Sequence, residues 1–92
     1  MPGTGGSEIL SLTPNPVSDK ALVTCFIAKQ GRVTLSILDS GGRPVALLAE
    51  GTAPPGIQSH TLNAEGLAPG IYFCVLTTPE GRSVKKFAVA GK

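Results

Sequence analysis

The chain has 92 residues, enough for one domain with one modest core. Hydrophobic residues make up 41% and charged residues 15%, which excludes a disordered chain, and a net charge of +2 from eight scattered basic residues excludes a nucleic-acid footprint. No apolar run approaches the roughly 18 residues of a transmembrane helix, and the 12 glycines and 8 prolines punctuate short apolar runs, the composition of strands and turns.

Residues 1–7 (M-P-G-T-G-G-S) lack the charged and apolar regions of a signal peptide and read as a flexible linker or engineered remnant, so the domain is expected over 8–92. Glu8–Thr13 alternates loosely and meets Pro14-Asn15-Pro16. Proline removes a ladder donor, so this is an edge strand entering a rigid, extended corner. After a polar turn at 17–20, Ala21–Ala28 forms a second strand, with Val23, Cys25 and Ile27 on one face and Leu22, Thr24, Phe26 and Ala28 on the other. Arg32–Asp39 alternates most cleanly: Val33, Leu35 and Ile37 face a core, Thr34 and Ser36 face water, and Leu38 is the exception.

Ser40-Gly41-Gly42 is a tight turn in which Asp39 bonds the backbone two residues on. Arg43–Glu50 is the fourth strand, where the adjacent Leu47 and Leu48 predict a bulge or a change of face. Beyond the loop at 51–56, Ile57–Asn63 is polar enough for an edge strand. Leu67–Leu76 (L-A-P-G-I-Y-F-C-V-L) carries a Pro69-Gly70 turn into a run that is apolar on both faces, which predicts a central strand. Thr78–Gly81 is a hairpin turn, and Ser83–Ala90 is the last strand, with Val84, Lys86 and Ala88 on one face and Lys85, Phe87 and Val89 on the other.

Seven short strands with no helical stretch predict an all-β fold, a single immunoglobulin-like seven-stranded antiparallel β-sandwich. Tyr72 stands two residues before Cys74, the offset of a tyrosine corner, whose hydroxyl bonds the backbone just upstream; the alternative is a core aromatic with a wet hydroxyl. Cys25 and Cys74 fall on the second and sixth strands, which lie in opposite sheets of the immunoglobulin fold and there carry its bridging cysteines. That pattern implies a Cys25–Cys74 disulfide in an oxidising compartment, closing a loop of roughly 50 residues and contributing about 4 kcal/mol. Two buried thiols are the alternative.

Catalytic chemistry finds no constellation. His60 is the only histidine and reads as a structural residue at a sheet edge. Cys25 and Cys74 belong in the core rather than at an open metal site. The paired glycines open no helix, so no phosphate cradle is expected, and Asp19, Asp39, Glu50, Glu65 and Glu80 fall in or beside turns without EF-hand spacing. No cofactor, metal, nucleic acid or small-molecule substrate is expected.

In order, the chain presents Pro14-Asn15-Pro16, then G-R-V-T-L-S-I-L-D-S-G-G-R-P-V at 31–45, Pro55-Gly56, L-A-P-G-I-Y-F at 67–73, and a terminal strand with Lys85-Lys86-Phe87. This order resembles the C-terminal sorting domain of type IX (Por) secretion cargo, over residues 8–92. Departures are Thr13 and Leu38, where that family often has an aromatic, and Cys25 and Cys74, where it commonly has an aromatic or aliphatic residue. Replacement of both core positions together by cysteine adds to the case for a bridge. The chain is also similar to the immunoglobulin-like domain of the flagellar hook-capping protein, which usually carries tryptophan at the position of Leu62; this chain has no tryptophan.

The sorting-domain resemblance implies a non-catalytic targeting module at the end of a larger secreted cargo, which is linked upstream. Its partners are then the outer-membrane translocon and a sortase that often removes it, and its route runs through the periplasm to the cell surface or medium. The Gly-rich start is then where cargo was cut away. The signature turn residues are Pro14, Asn15, Pro16 and Gly70. The recognition surface is expected to include Val84, Lys85, Lys86, Phe87, Ala88 and Val89, a strand able to pair with a partner by edge addition. Lys85 and Lys86 serve equally as charges that keep an edge from aggregating. The alternative function is a structural or ligand-binding accessory domain of an extracellular enzyme or adhesin. A sugar binder would show exposed aromatics, and only Phe26, Tyr72, Phe73 and Phe87 are available.

Overall fold

In a computed structural model, residues 6–90 are described, and they form two facing sheets without a helix. The strands are β1 (Glu8–Thr13), β2 (Lys20–Ile27), β3 (Gly31–Asp39), β4 (Pro44–Ala53), β5 (Gly56–Asn63), β6 (Gly70–Thr78) and β7 (Gly81–Val89). One sheet has the order β1-β2-β5 and the other β4-β3-β6-β7. All five strand pairings are antiparallel. The fold is thus the expected all-β sandwich, with β6 internal to its sheet and β1, β5, β4 and β7 at the edges.

The β3–β4 hairpin shows how the sequence sets the geometry. Asp39 Oδ1 accepts the amide protons of Gly41 and Arg43, each at 2.9 Å, and the Asp39 backbone closes the turn onto Gly42 and Arg43. Gly42 has φ 88°, a conformation only glycine adopts freely. So tight a connection pairs β4 with β3, whereas constant-type immunoglobulin domains place their fourth strand in the opposite sheet. The register steps from Leu35↔Ala49 to Ser36↔Leu47, leaving Leu48 as the extra residue of a bulge. The bulge lets Leu48 pack against the core while Leu47 stays exposed, which resolves the adjacent apolar pair.

Alternation then builds the interior. Val33, Leu35 and Ile37 from β3, Val23, Cys25 and Ile27 from β2, and Cys74 and Leu76 from β6 all turn inward and are buried. Phe87 and Leu62 close the layer. Truncating one of the larger members, such as Leu35→Ala, costs about 2–5 kcal/mol. Val75 is buried as well, although it faces away from this core. It lies on the outer face of the larger sheet, in register with Ser36 of β3 and Val84 of β7.

The framework reaches back before Glu8. Ser7 is buried, and its Oγ accepts the Ala28 amide proton at 2.9 Å. Residues 1–5 of the expected linker lie outside the described residues, as do residues 91–92.

Candidate functional site

The corner and the last strand meet. Thr13–Pro14 and Asn15–Pro16 are cis peptides, and the chain leaves them through Val17, which forms a parallel bridge with Val89. The Val17 amide donates to the Ala88 carbonyl and the Ala90 amide donates to the Val17 carbonyl, both at 2.8 Å. The Asn15 Oδ1 accepts the Ala88 amide proton at 3.1 Å. Prolines at 14 and 16 have no N–H to donate, and the segment serves β7 through the Asn15 side chain and the Val17 backbone. The sequence signal was present in a carboxamide held between two prolines. The partner strand, 73 residues away, was not legible.

At its other end β7 is tied to the opposite sheet, where the Ile9 amide donates to Ser83 Oγ at 3.1 Å. Six residues of β7 were expected to form the recognition surface, and the structure divides them. Phe87 and Val89 are in the core, and Ala88 is half-buried against the corner. Val84, Lys85 and Lys86 are exposed, joined by Arg82. The exposed part of the strand is therefore its first half.

Tyr72 ties the signature turn to the same region. Its hydroxyl donates to the Ala68 carbonyl at 2.6 Å, four residues upstream, and its ring stacks on Phe87 with centroids 5.9 Å apart. Gly70, at φ 152°, begins β6 and is in register with Val89. The L-A-P-G-I-Y stretch is thus the brace behind the end of β7.

The cysteines require a correction. Cys25 and Cys74 do lie on opposite sheets with inward side chains, but both are free thiols and the expected disulfide is not formed. They act as small apolar core residues. Burial pushes the Cys25 thiol up to about 11. Burial, with a smaller contribution from the nearby Cys25, pushes Cys74 up to about 12. Thiols held so firmly protonated are poor nucleophiles and poor metal ligands.

Elsewhere the chemistry is sparse. His60 is half-buried on edge strand β5 and hydrogen-bonds Gln58 Oε1 at 3.2 Å. A depression of about 300 Å³ beside the corner is lined by Ser18, Glu65, Leu67 and Pro69, with Glu65 the only ionisable side chain there among the described residues. Among the described residues no group of three or more His, Cys, Asp or Glu side chains is placed to hold a metal ion. Tyr72 and Phe87 are buried and Phe26 and Phe73 half-buried, so none of the four aromatics stands out as a sugar-stacking platform.

The family profile described as the secretion system C-terminal sorting domain matches residues 11–90, from within β1 through β7. The chain belongs to this family. Comparison with curated proteins and with solved structures gave no match. The sorting domain is a C-terminal signal for type IX secretion, which implies contact with that machinery, attachment to a cargo, and delivery toward the cell surface or the extracellular space. Its match begins just before the corner and ends at Ala90, so the corner, the Tyr72 brace and β7 all lie within it.

Proposed function

We propose that this sorting domain is a non-catalytic address label, read in the periplasm by the outer-membrane translocon through β7, and removed from its cargo by a sortase at the surface. The family match carries the reading. The structure supports a role for β7 because that strand is an edge whose end is held in place by Asn15 and Val17. A recognition strand must stay ordered without being fully paired, and holding β7 at Ser83 and at its last residues while its outward backbone groups from Arg82 to Lys86 pair with no strand meets both needs. On this reading the residues upstream of β1 join the domain to its cargo, and residues 8–92 suffice for export. The test is whether a fluorescent protein fused upstream of residues 8–92 leaves the periplasm only where the type IX translocon is intact.

A further inference from the structure

The chemistry of the segment that pairs with β7 follows from the backbone, given the reading that β7 is the recognised strand. The Ala88 N–H and C=O and the Ala90 N–H all point to the corner. Backbone groups alternate along a strand, so Arg82, Val84 and Lys86 also turn theirs away from β6. Arg82, just before the Ile9–Ser83 contact, and Val84 and Lys86, between that contact and the corner, pair with no further strand. Their side chains share the outer face of the sheet, where Arg82 is in register with Thr77, Val84 with Val75 and Lys86 with Phe73.

The charges on this edge are one-sided. β7 carries Arg82, Lys85 and Lys86 and no carboxylate. Among the described residues the ion pairs are Lys29–Glu80, Arg32–Glu50 and Arg43–Asp39, so none of the three β7 cations is neutralised. A second copy of the chain is a poor occupant. Antiparallel β7–β7 pairing that uses all three open residues sets Val84 against its own copy and Arg82 against Lys86 twice, and like charges directly opposed destabilise a strand pair. The same arrangement suits a strand with carboxylates at those two places and an apolar residue between them, which would cover the half-exposed Val84 and extend the apolar row that begins at Val75.

We propose that the edge from Arg82 to Lys86 accepts one extended strand of an acidic partner protein, with carboxylates opposite Arg82 and Lys86 and an apolar side chain beside Val84. The export machinery's contact is then β-strand addition with acidic specificity, confined to the first half of β7.

The test is an NMR titration of the isotopically labelled chain with two synthetic peptides, T-E-T-V-T-E-T and T-K-T-V-T-K-T. The acidic peptide is expected to shift the amides of residues 82–86 while leaving those of 88–90 in place, and to bind about tenfold more tightly than the basic one. Arg82→Glu/Lys86→Glu, two exposed changes whose folding the same spectra check, is expected to reverse the preference. Equal response to both peptides, shifts confined to β4 or β5, or concentration-dependent self-association through 82–86 without peptide would each overturn the proposal. Failure of the unmutated fusion to be exported would refute the sorting reading by itself. Export without any acidic preference at β7 would refute only this inference.

Discussion

The Asn15 side-chain oxygen accepts the Ala88 amide proton at 3.1 Å, joining the first corner of the chain to its last strand across 73 residues of sequence. With the two Val17 bonds beside it, this contact fixes which half of β7 is closed and which is open. Asn15→Ala removes the acceptor and is expected to cost about 1 kcal/mol. Hydrogen exchange provides the check: protection at the Ala88 amide is expected to fall more than protection in β3.

The hydroxyl of Tyr72 makes a single short bond to the Ala68 carbonyl. Tyr72→Phe keeps the stack on Phe87 and loses only that bond, so chemical denaturation is expected to show a loss of about 1 kcal/mol with an unchanged denaturant slope. Tyr72→Ala loses buried ring area as well and is expected to cost about 3–5 kcal/mol, by analogy with other large aromatic truncations.

Asp39 organises the β3–β4 turn from the surface. The backbone N–H of Arg43 does most to hold its carboxyl below its ordinary 3.8; desolvation opposes it, and the Gly41 N–H and the Arg43 guanidinium complete the lowering. A lowered folded pKa means stability that is present above pH 3.8 and is lost as pH falls through the folded value. Asp39→Asn keeps an acceptor oxygen and is expected to flatten that acid limb of the stability curve. Asp39→Ala is expected to lower stability at neutral pH as well. Thermal unfolding between pH 2 and 7 distinguishes the two.

The buried thiols set the alkaline limb. Free thiols ionise near 9.0, whereas the folded ones hold their protons to about 11 and about 12. The folded state therefore binds more protons between pH 9 and the folded values, so stability is complete below pH 9 and is lost as pH rises through about 11 and about 12. Cys25→Ala/Cys74→Ala is expected to remove this added slope. Iodoacetamide at pH 8 is expected to label neither cysteine in the native protein and both in denaturant.

Much of the architecture was legible because it is local. The alternation of Val33, Leu35 and Ile37, the Asp39 turn and the paired leucines at 47 and 48 each have a period-two or turn signature, and each appears in the structure. The order of the motifs pointed to the family for the same reason. What could not be read is long-range. Alternation places Cys25 and Cys74 inside, but only tertiary packing decides whether they bond or remain thiols. Likewise Phe87 and Val89 share a strand with Lys86, and nothing in their spacing says that the corner at 15–17 would close that end of β7 and leave 82–86 open.

Whether β7 and the fold behind it act as an export signal is decided by the fate of a reporter. A fluorescent protein carrying a periplasmic signal peptide and fused upstream of residues 8–92 would be followed in a type IX-competent bacterium and in a translocon-deficient strain. Reporter is expected at the surface or in the medium of the competent strain alone, and is expected to stay in the periplasm when Ser83–Ala90 and the two residues after it are deleted. Retention of the intact fusion in both strains, with the domain folded, would contradict that role.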